Sequence, residues 1–316
     1  MPFFVKGQDV TFSQFYSNPL YLNPAFSGSI EVPRVGVHYR NQWPTFNNAY
    51  NTYSVSLDLP VEKLKGGVGV LIMNDAQSSD LINMFQADFM YSSFTRINED
   101  FRFYGGLQLG FHHNSIKWGE LVFSDNLDAN FGEHGPTAET PIDNPTYSFL
   151  DASTGILVFS EKFFFGMAAH HLNEPKLSYY SSQVETGVLY RKYTMHFGAK
   201  IPMFLHGHLR KKFDLSPQVI LQQQGDFKQF NYGLFVNRKG LSAGVWLRQN
   251  FTFNYDALIF LVGFINKKWQ FTYSYDWTIS GLGGATGGSS EISLSFLLKD
   301  PGKVSNLPFF KLPADY

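Results

Sequence analysis

The stretch WQFTYSYDWTIS, residues 269–280, leaves few folds open to this chain. Trp269, Phe271, Tyr273, Tyr275, Trp277 and Ile279 alternate strictly with Gln270, Thr272, Ser274, Asp276, Thr278 and Ser280. Successive side chains of a strand point to opposite faces, so this stretch makes a strand with one apolar and one polar side. FRFYGGLQLGFHH repeats the pattern, with Phe103, Leu107, Leu109 and Phe111 on one side and Arg102, Tyr104, Gln108 and His112 on the other.

The same period recurs along almost the whole chain. Runs lie near 33–41, 51–59, 66–74, 82–95, 99–113, 149–159 and 162–171, then near 190–201, 213–223, 227–237, 240–249, 256–265, 268–279 and 290–298. That makes about fourteen strands, most of them close to the roughly 9–11 residues that cross a bilayer. Strands of a soluble sandwich are shorter, about 5 or 6 residues. Connections from odd to even strands include the long links Trp43–Asn51, Asn114–Ser148 and Leu172–Leu189. Those from even to odd are mostly tight, as at Ile97–Glu99, Ser160–Glu161, Arg238–Lys239 and Asn266–Lys267. Pro202–Lys212 is long on the tight side, and QQQGD is short on the long side. Outer-membrane barrels have short periplasmic turns and long outer loops. The expected fold is all-β, a transmembrane outer-membrane β-barrel of about 14 antiparallel strands.

Composition removes several functions. Of 316 residues none is Cys, which excludes disulfides, thiolate metal sites and cysteine nucleophiles. A net charge of -1 gives no nucleic-acid footprint. The apolar run Ala257–Ile265 is far shorter than the roughly 20 residues of a membrane-spanning helix. The pairs His112-His113 and His170-His171 would point to opposite faces of a strand and could not grip one ion, so no metal is expected. The Gly-rich 282–288 lies between two strands with no helix after it, and no G-x-S-x-G elbow is present. No cofactor and no catalytic residue is assigned.

Four segments follow: 1–7 as the remnant of a signal peptide, 8–32 as an extended N-terminal segment on the periplasmic side, 33–298 as the barrel, and 299–316 as a periplasmic tail. The N-terminal segment carries SNPLYLNPAFSGS, in which each Pro keeps the Asn before it out of the helical region. Its apolar side chains call for cover, either as a plug in the periplasmic mouth or as an edge for strand addition by a partner. The candidate residues are Gln14, Phe15, Asn18, Pro19, Tyr21, Leu22, Asn23 and Pro24. Arg34, Arg40, Asp58, Asp88 and Arg102 fall on the wet, lumen-facing side. A first hairpin centred near Phe46 would set Arg34 opposite Asp58. Fourteen strands enclose more space than their own side chains fill, so something must occupy or gate the lumen. Trp43 and Trp118 are candidate outer-loop contacts, and the Asn114–Ser148 loop is expected to fold inward.

QDVTFSQFYSNPLYLNPAFSG, YRNQWP, WGELVFSD, HHLNEP, YSYDWTIS and GGSSEISLSF, in that order, resemble the PorP/SprF family. The resemblance implies an outer-membrane barrel of the type IX secretion system. It also implies partners: outer-membrane lipid, the C-terminal domain of a secreted cargo protein such as a gliding adhesin, and periplasmic or outer-membrane machinery components. A passive diffusion porin is the alternative, and a lipid-modifying enzyme a more distant one. The tail KDPGKVSNLPFFKLPADY departs from the family pattern.

Overall fold

A computed structural model describes residues 9–30, 32–46, 50–123, 125, 127–128, 132–133, 137–139, 142–179, 187–205, 211–266, 268–281 and 285–299. The expected signal remnant, most of the tail and much of 124–141 lie outside these. Fourteen strands form the wall: β1 Arg34–Gln42, β2 Tyr50–Val61, β3 Gly66–Gln77, β4 Ile82–Arg96, β5 Arg102–Ile116, β6 Thr146–Phe159 and β7 Phe163–His170. The chain continues with β8, Lys192–Ala199 extended by Ile201–Leu205, then β9 Lys211–Gln224, β10 Phe227–Arg238 and β11 Leu241–Asn250. It ends with β12 Tyr255–Ile265, β13 Trp269–Thr278 and β14 Ser289–Leu297. Every strand pairs antiparallel with its sequence neighbour, and β14 returns to β1 with Leu297 opposite Arg34, which closes the barrel. Closure leaves the wall almost no exposed sheet edge.

All fourteen strands fall where the alternation places them. β8 differs at its end, because it runs on through Pro202 to Leu205 after a break at Lys200. The long link expected at Pro202–Lys212 therefore shrinks to 206–210. At the other end Gly225, with φ 55, makes the tight β9–β10 turn that QQQGD encodes.

The alternation decides which side chains face out. Leu107, Leu109, Leu150 and Trp277 are 62%, 68%, 71% and 55% exposed on the outer surface, the apolar belt that a membrane-crossing barrel would turn to lipid. An arginine there meets hydrocarbon. Leu109→Arg is expected to lower unfolding free energy in lipid vesicles by about 2–4 kcal/mol, against no more than about 1 kcal/mol for Leu64→Arg in the β2–β3 turn. Equal losses in urea titrations would reject the face assignment.

The inner surface is polar and yet buried. Arg34, Arg40, Asp58, Asp88, Asp276 and Glu291 are each no more than 2% exposed. Such side chains in an open pore would stand in water. Here the N-terminal segment covers them.

Candidate functional site: a lumen filled by the N-terminal segment

Both Asn-Pro units of the segment open a short turn. Asn18 precedes the single helical turn Pro19–Leu22, and Asn23 precedes the 3-10 turn Pro24–Phe26. Proline suits the first helical position, since its fixed φ matches and its missing N–H has no partner there anyway. Asn23 caps the second turn, its Oδ1 accepting from the Ala25 N–H at 2.9 Å. The expectation of an extended segment is thus corrected: the prolines hold each Asn out of the helical region but start a turn after it.

Its position is corrected as well. The segment does not stop at the short-turn end, expected to be the periplasmic side, but spans the lumen. Asp9 bonds Gln224, the last residue of β9 and hence at the long-loop end. Gly28 sits near the opposite end, with its N–H on Asp58 at 3.0 Å. Gly28 has φ 63, and a Cβ there would lie 2.6 Å from the Gly67 Cα, so this crossing requires glycine. The physical reason for the deep seat is apolar cover. Phe15, Leu20, Leu22, Ala25, Phe26 and Ile30 are all buried, and Tyr21 is partly buried against the same core.

Three sets of contacts fix the segment. The first surrounds Ser13 and Gln14. Both backbone N–H groups point at Glu291, at 2.8 and 3.2 Å. The Ser13 hydroxyl donates to Asp276 and accepts from Arg40 at 2.9 Å and Arg248 at 2.7 Å. Arg40 also reaches Glu291 at 3.1 Å and Asp276 at 3.2 Å, while Arg248 reaches Asp276 at 3.0 Å. Two guanidinium groups therefore balance two carboxylates, with Ser13 between them. The Gln14 side chain donates to the Glu291 carbonyl at 2.7 Å and accepts from Ser293. Beside it, the Phe15 ring lies 5.3 Å from Trp246.

The second set seats the turns. Asn18 donates to Ser54 at 3.2 Å. Asn23 donates to the carbonyls of Ile156 and Met167 at 2.9 and 3.1 Å and meets His196 at 3.3 Å. Space for this turn comes from wall glycines: a Cβ at Gly106 would overlap Ala25, and one at Gly155 would overlap the Asn23 amide. Phe26 stacks on His196 at 5.5 Å. Near the short-turn end Arg34 and Asp58 are register partners across β1 and β2, joined at 2.7 Å.

The third set lies at the long-loop mouth. Asp9 meets His171 at 2.9 Å and Lys192 at 3.3 Å, and the other His171 nitrogen meets Asp151 at 3.0 Å. Lys192 also stands 4.7 Å over the Tyr21 ring. Here the expectation for His170-His171 is corrected. β7 ends at His170, and His171 has φ 57, so both rings turn inward with centroids 6.3 Å apart. His112 faces in as well, 6.2 Å from His171, while His113 bonds Ser148 on the outer side.

Burial opposes the His171 cation, but the two flanking carboxylates outweigh it and raise its pKa to about 10. Asp9 is likewise penalised by burial, yet His171 and Lys192 hold it well below the usual carboxylate range. A raised His pKa adds stability that is full below about 6.5 and lost as pH climbs through the folded value. A lowered Asp pKa adds stability that is full above about 3.9 and lost as pH falls through the folded value. The mouth contacts are therefore expected to hold across neutral pH and to loosen near pH 10. Limited proteolysis near Asp9 should show that alkaline step, and His171→Gln should lack it; a wild-type profile without the step would contradict this.

The two tryptophans lie in outer connections, half-buried. Trp43 packs on Tyr50 at 5.8 Å, and Trp118 on Phe123 at 4.9 Å. In the described part of the Trp118 loop, Trp118–Glu120 forms a 3-10 turn and Val122 and Leu127 are exposed, so the expected inward fold is not seen there. The sequence does not single out Ser13, Arg248, Asp276 and Glu291 as site residues, although Asp276 and Glu291 stand out as charges on otherwise Ser/Thr-rich polar faces.

The family model described as type IX secretion system membrane protein PorP/SprF matches residues 4–296. The chain belongs to the PorP/SprF family. It is accordingly an outer-membrane barrel protein of the type IX secretion system, a family and fold that are not those of an enzyme class. No curated protein matches it. Among solved structures it resembles the Ralstonia pickettii toluene transporter TbuX at 9% identity and TM-score 0.49, covering 88% of this chain and 92% of that one. A Pseudomonas aeruginosa FadL homologue matches at 11% identity and TM-score 0.42, over 88% and 93%. The KdgM porin matches at 7% identity and TM-score 0.37, over 84% and 99%.

Proposed function

We propose that this PorP/SprF protein is a non-enzymatic, plugged barrel that supports type IX secretion by holding a secreted cargo protein, through its C-terminal domain, at the cell surface. One observation carries the reading. The N-terminal segment lies in the lumen with its polar atoms bonded to wall charges, an arrangement that suits a docking platform and not a diffusion pore. Machinery components of the system are the partners on the periplasmic side, and membrane lipid surrounds the apolar belt. Gln14, Phe15, Asn18, Pro19, Tyr21, Leu22, Asn23 and Pro24 act as the plug, and the Arg34–Asp58 pair anchors its exit into β1. Trp43 and Trp118 serve as contacts on the outer loops.

The test replaces Tyr21 and Leu22 by Ser, which touches no wall strand. The expected result is a barrel that keeps its heat-modifiable mobility on gels and displays less cargo to protease on whole cells. Normal cargo display by an assembled double variant would overturn the reading.

A further inference from the structure

Carboxylates outnumber cations at the long-loop end of the lumen. Two cavities there share Asp9, Tyr21, Gln86, His112 and His171. Asp75 also lines one, and Asp88, Asp151 and Lys192 line the other. His171 and Lys192 are engaged with Asp9 and Asp151. Asp75 and Asp88, both 2% exposed, are left with weaker company. Asp75 receives neutral donors only, the Thr52 hydroxyl at 2.6 Å and the Gln77 amide at 2.7 Å. Asp88 takes the Gln86 amide at 2.8 Å on one oxygen. Its other oxygen accepts no hydrogen bond from the protein and lies 3.6 Å from His112. The Gln108 carbonyl oxygen, on the same cavity, accepts none either. Elsewhere in the lumen the signs match, as in Arg40 and Arg248 with Asp276 and Glu291, or Arg34 with Asp58.

Buried acceptors without donors, combined with surplus negative charge, define the complementary ligand: a cation that only donates hydrogen bonds. Among the described residues no group of three His, Asp or Glu could hold a metal ion. The Tyr21 ring lines both cavities and the Phe149 ring the one that holds Asp75, and aromatic walls favour an organic cation with an apolar stem. Leu177, Leu189, Asn114 and Phe149, all at the long-loop side, line the same cavity as Asp75, so a ligand would enter from that side. We propose that this mouth takes a basic side chain, arginine or lysine, of a polypeptide presented at the cell surface. The biological role rests on the cargo-holding reading above, whereas the binding chemistry does not.

The purified full chain in detergent is titrated with acetyl-Gly-Arg-Gly-amide by calorimetry at neutral pH and low salt. Saturable binding is expected, weakened about tenfold or more by Asp75→Asn and by Asp88→Asn and unchanged by Glu120→Gln on a neighbouring loop. The norleucine analogue should bind at least about tenfold more weakly. Each Asn variant removes a buried charge that has no hydrogen-bonded cation, so both should fold and melt no lower than the wild type. Absence of binding, equal binding of the norleucine peptide, unchanged affinity in both Asn variants, or displacement by equimolar calcium would each overturn the site. Peptide binding in a protein that nevertheless displays no cargo would leave the site standing and sink the cargo reading instead.

Discussion

Glu291→Ala is expected to lower the unfolding free energy of the barrel by about 3–5 kcal/mol, the range found when one partner of a buried ion pair is removed. The residue is 0% exposed and accepts from Arg40 and from the N–H groups of Ser13 and Gln14. Its loss strands a guanidinium in the lumen and orphans two backbone donors at once. Arg40 retains Asp276, but that carboxylate is already shared with Arg248 and Ser13. Replacing both sides of the contact by apolar residues, Arg40→Met with Glu291→Leu, should recover part of the loss, because a well-packed apolar pair has no charge to strand. Denaturant titration in vesicles provides the numbers. A Glu291→Ala loss below about 1 kcal/mol would mean that water reaches this network and that the lumen is open.

Gly155→Val should expel the second Asn-Pro turn while sparing the wall. The added carbons would occupy the place of the Asn23 amide, whose donor reaches two wall carbonyls. Overpacking costs about 1–3 kcal/mol, and each lost hydrogen bond about 1 kcal/mol more. A relaxed strand would accept valine readily, since valine favours the sheet. The strain therefore falls on the segment. Heat-modifiable mobility should persist, while protease cleavage between Asn18 and Phe26 should rise at least tenfold, as expected for a loss of about 1.4 kcal/mol or more. Wild-type resistance in an assembled Gly155→Val barrel would place the turn elsewhere.

The wall was legible because lipid and lumen impose opposite demands on neighbouring residues. Leu109 beside Gln108, or Trp277 beside Asp276, cannot satisfy both faces in any other conformation, and the register that pairs Arg34 with Asp58 follows from a hairpin centred on Phe46. The filling was less legible. Ser13 meets partners more than 230 residues away, and no local period records a contact of that range. The segment looked extended because Asn-Pro restricts the Asn, whereas its turns depend on the cap at Asn23 and on glycines brought together from β5 and β6. Alternation does not place His171, because it applies only within a strand and β7 stops one residue earlier. Pro202 read as a loop because it lacks an N–H, yet β8 tolerates it at the end of the wall, where the Ile201–Leu205 stretch pairs with β9 alone.

Conductance in planar bilayers tests the central claim, that the N-terminal segment closes the lumen. The intact chain is predicted to give no stable open channel, and the chain lacking residues 9–30 to give steady steps of a single size, since 14 strands without a filling leave a water-filled passage. Stable open channels from the intact chain, at the conductance of the truncated one, would contradict it.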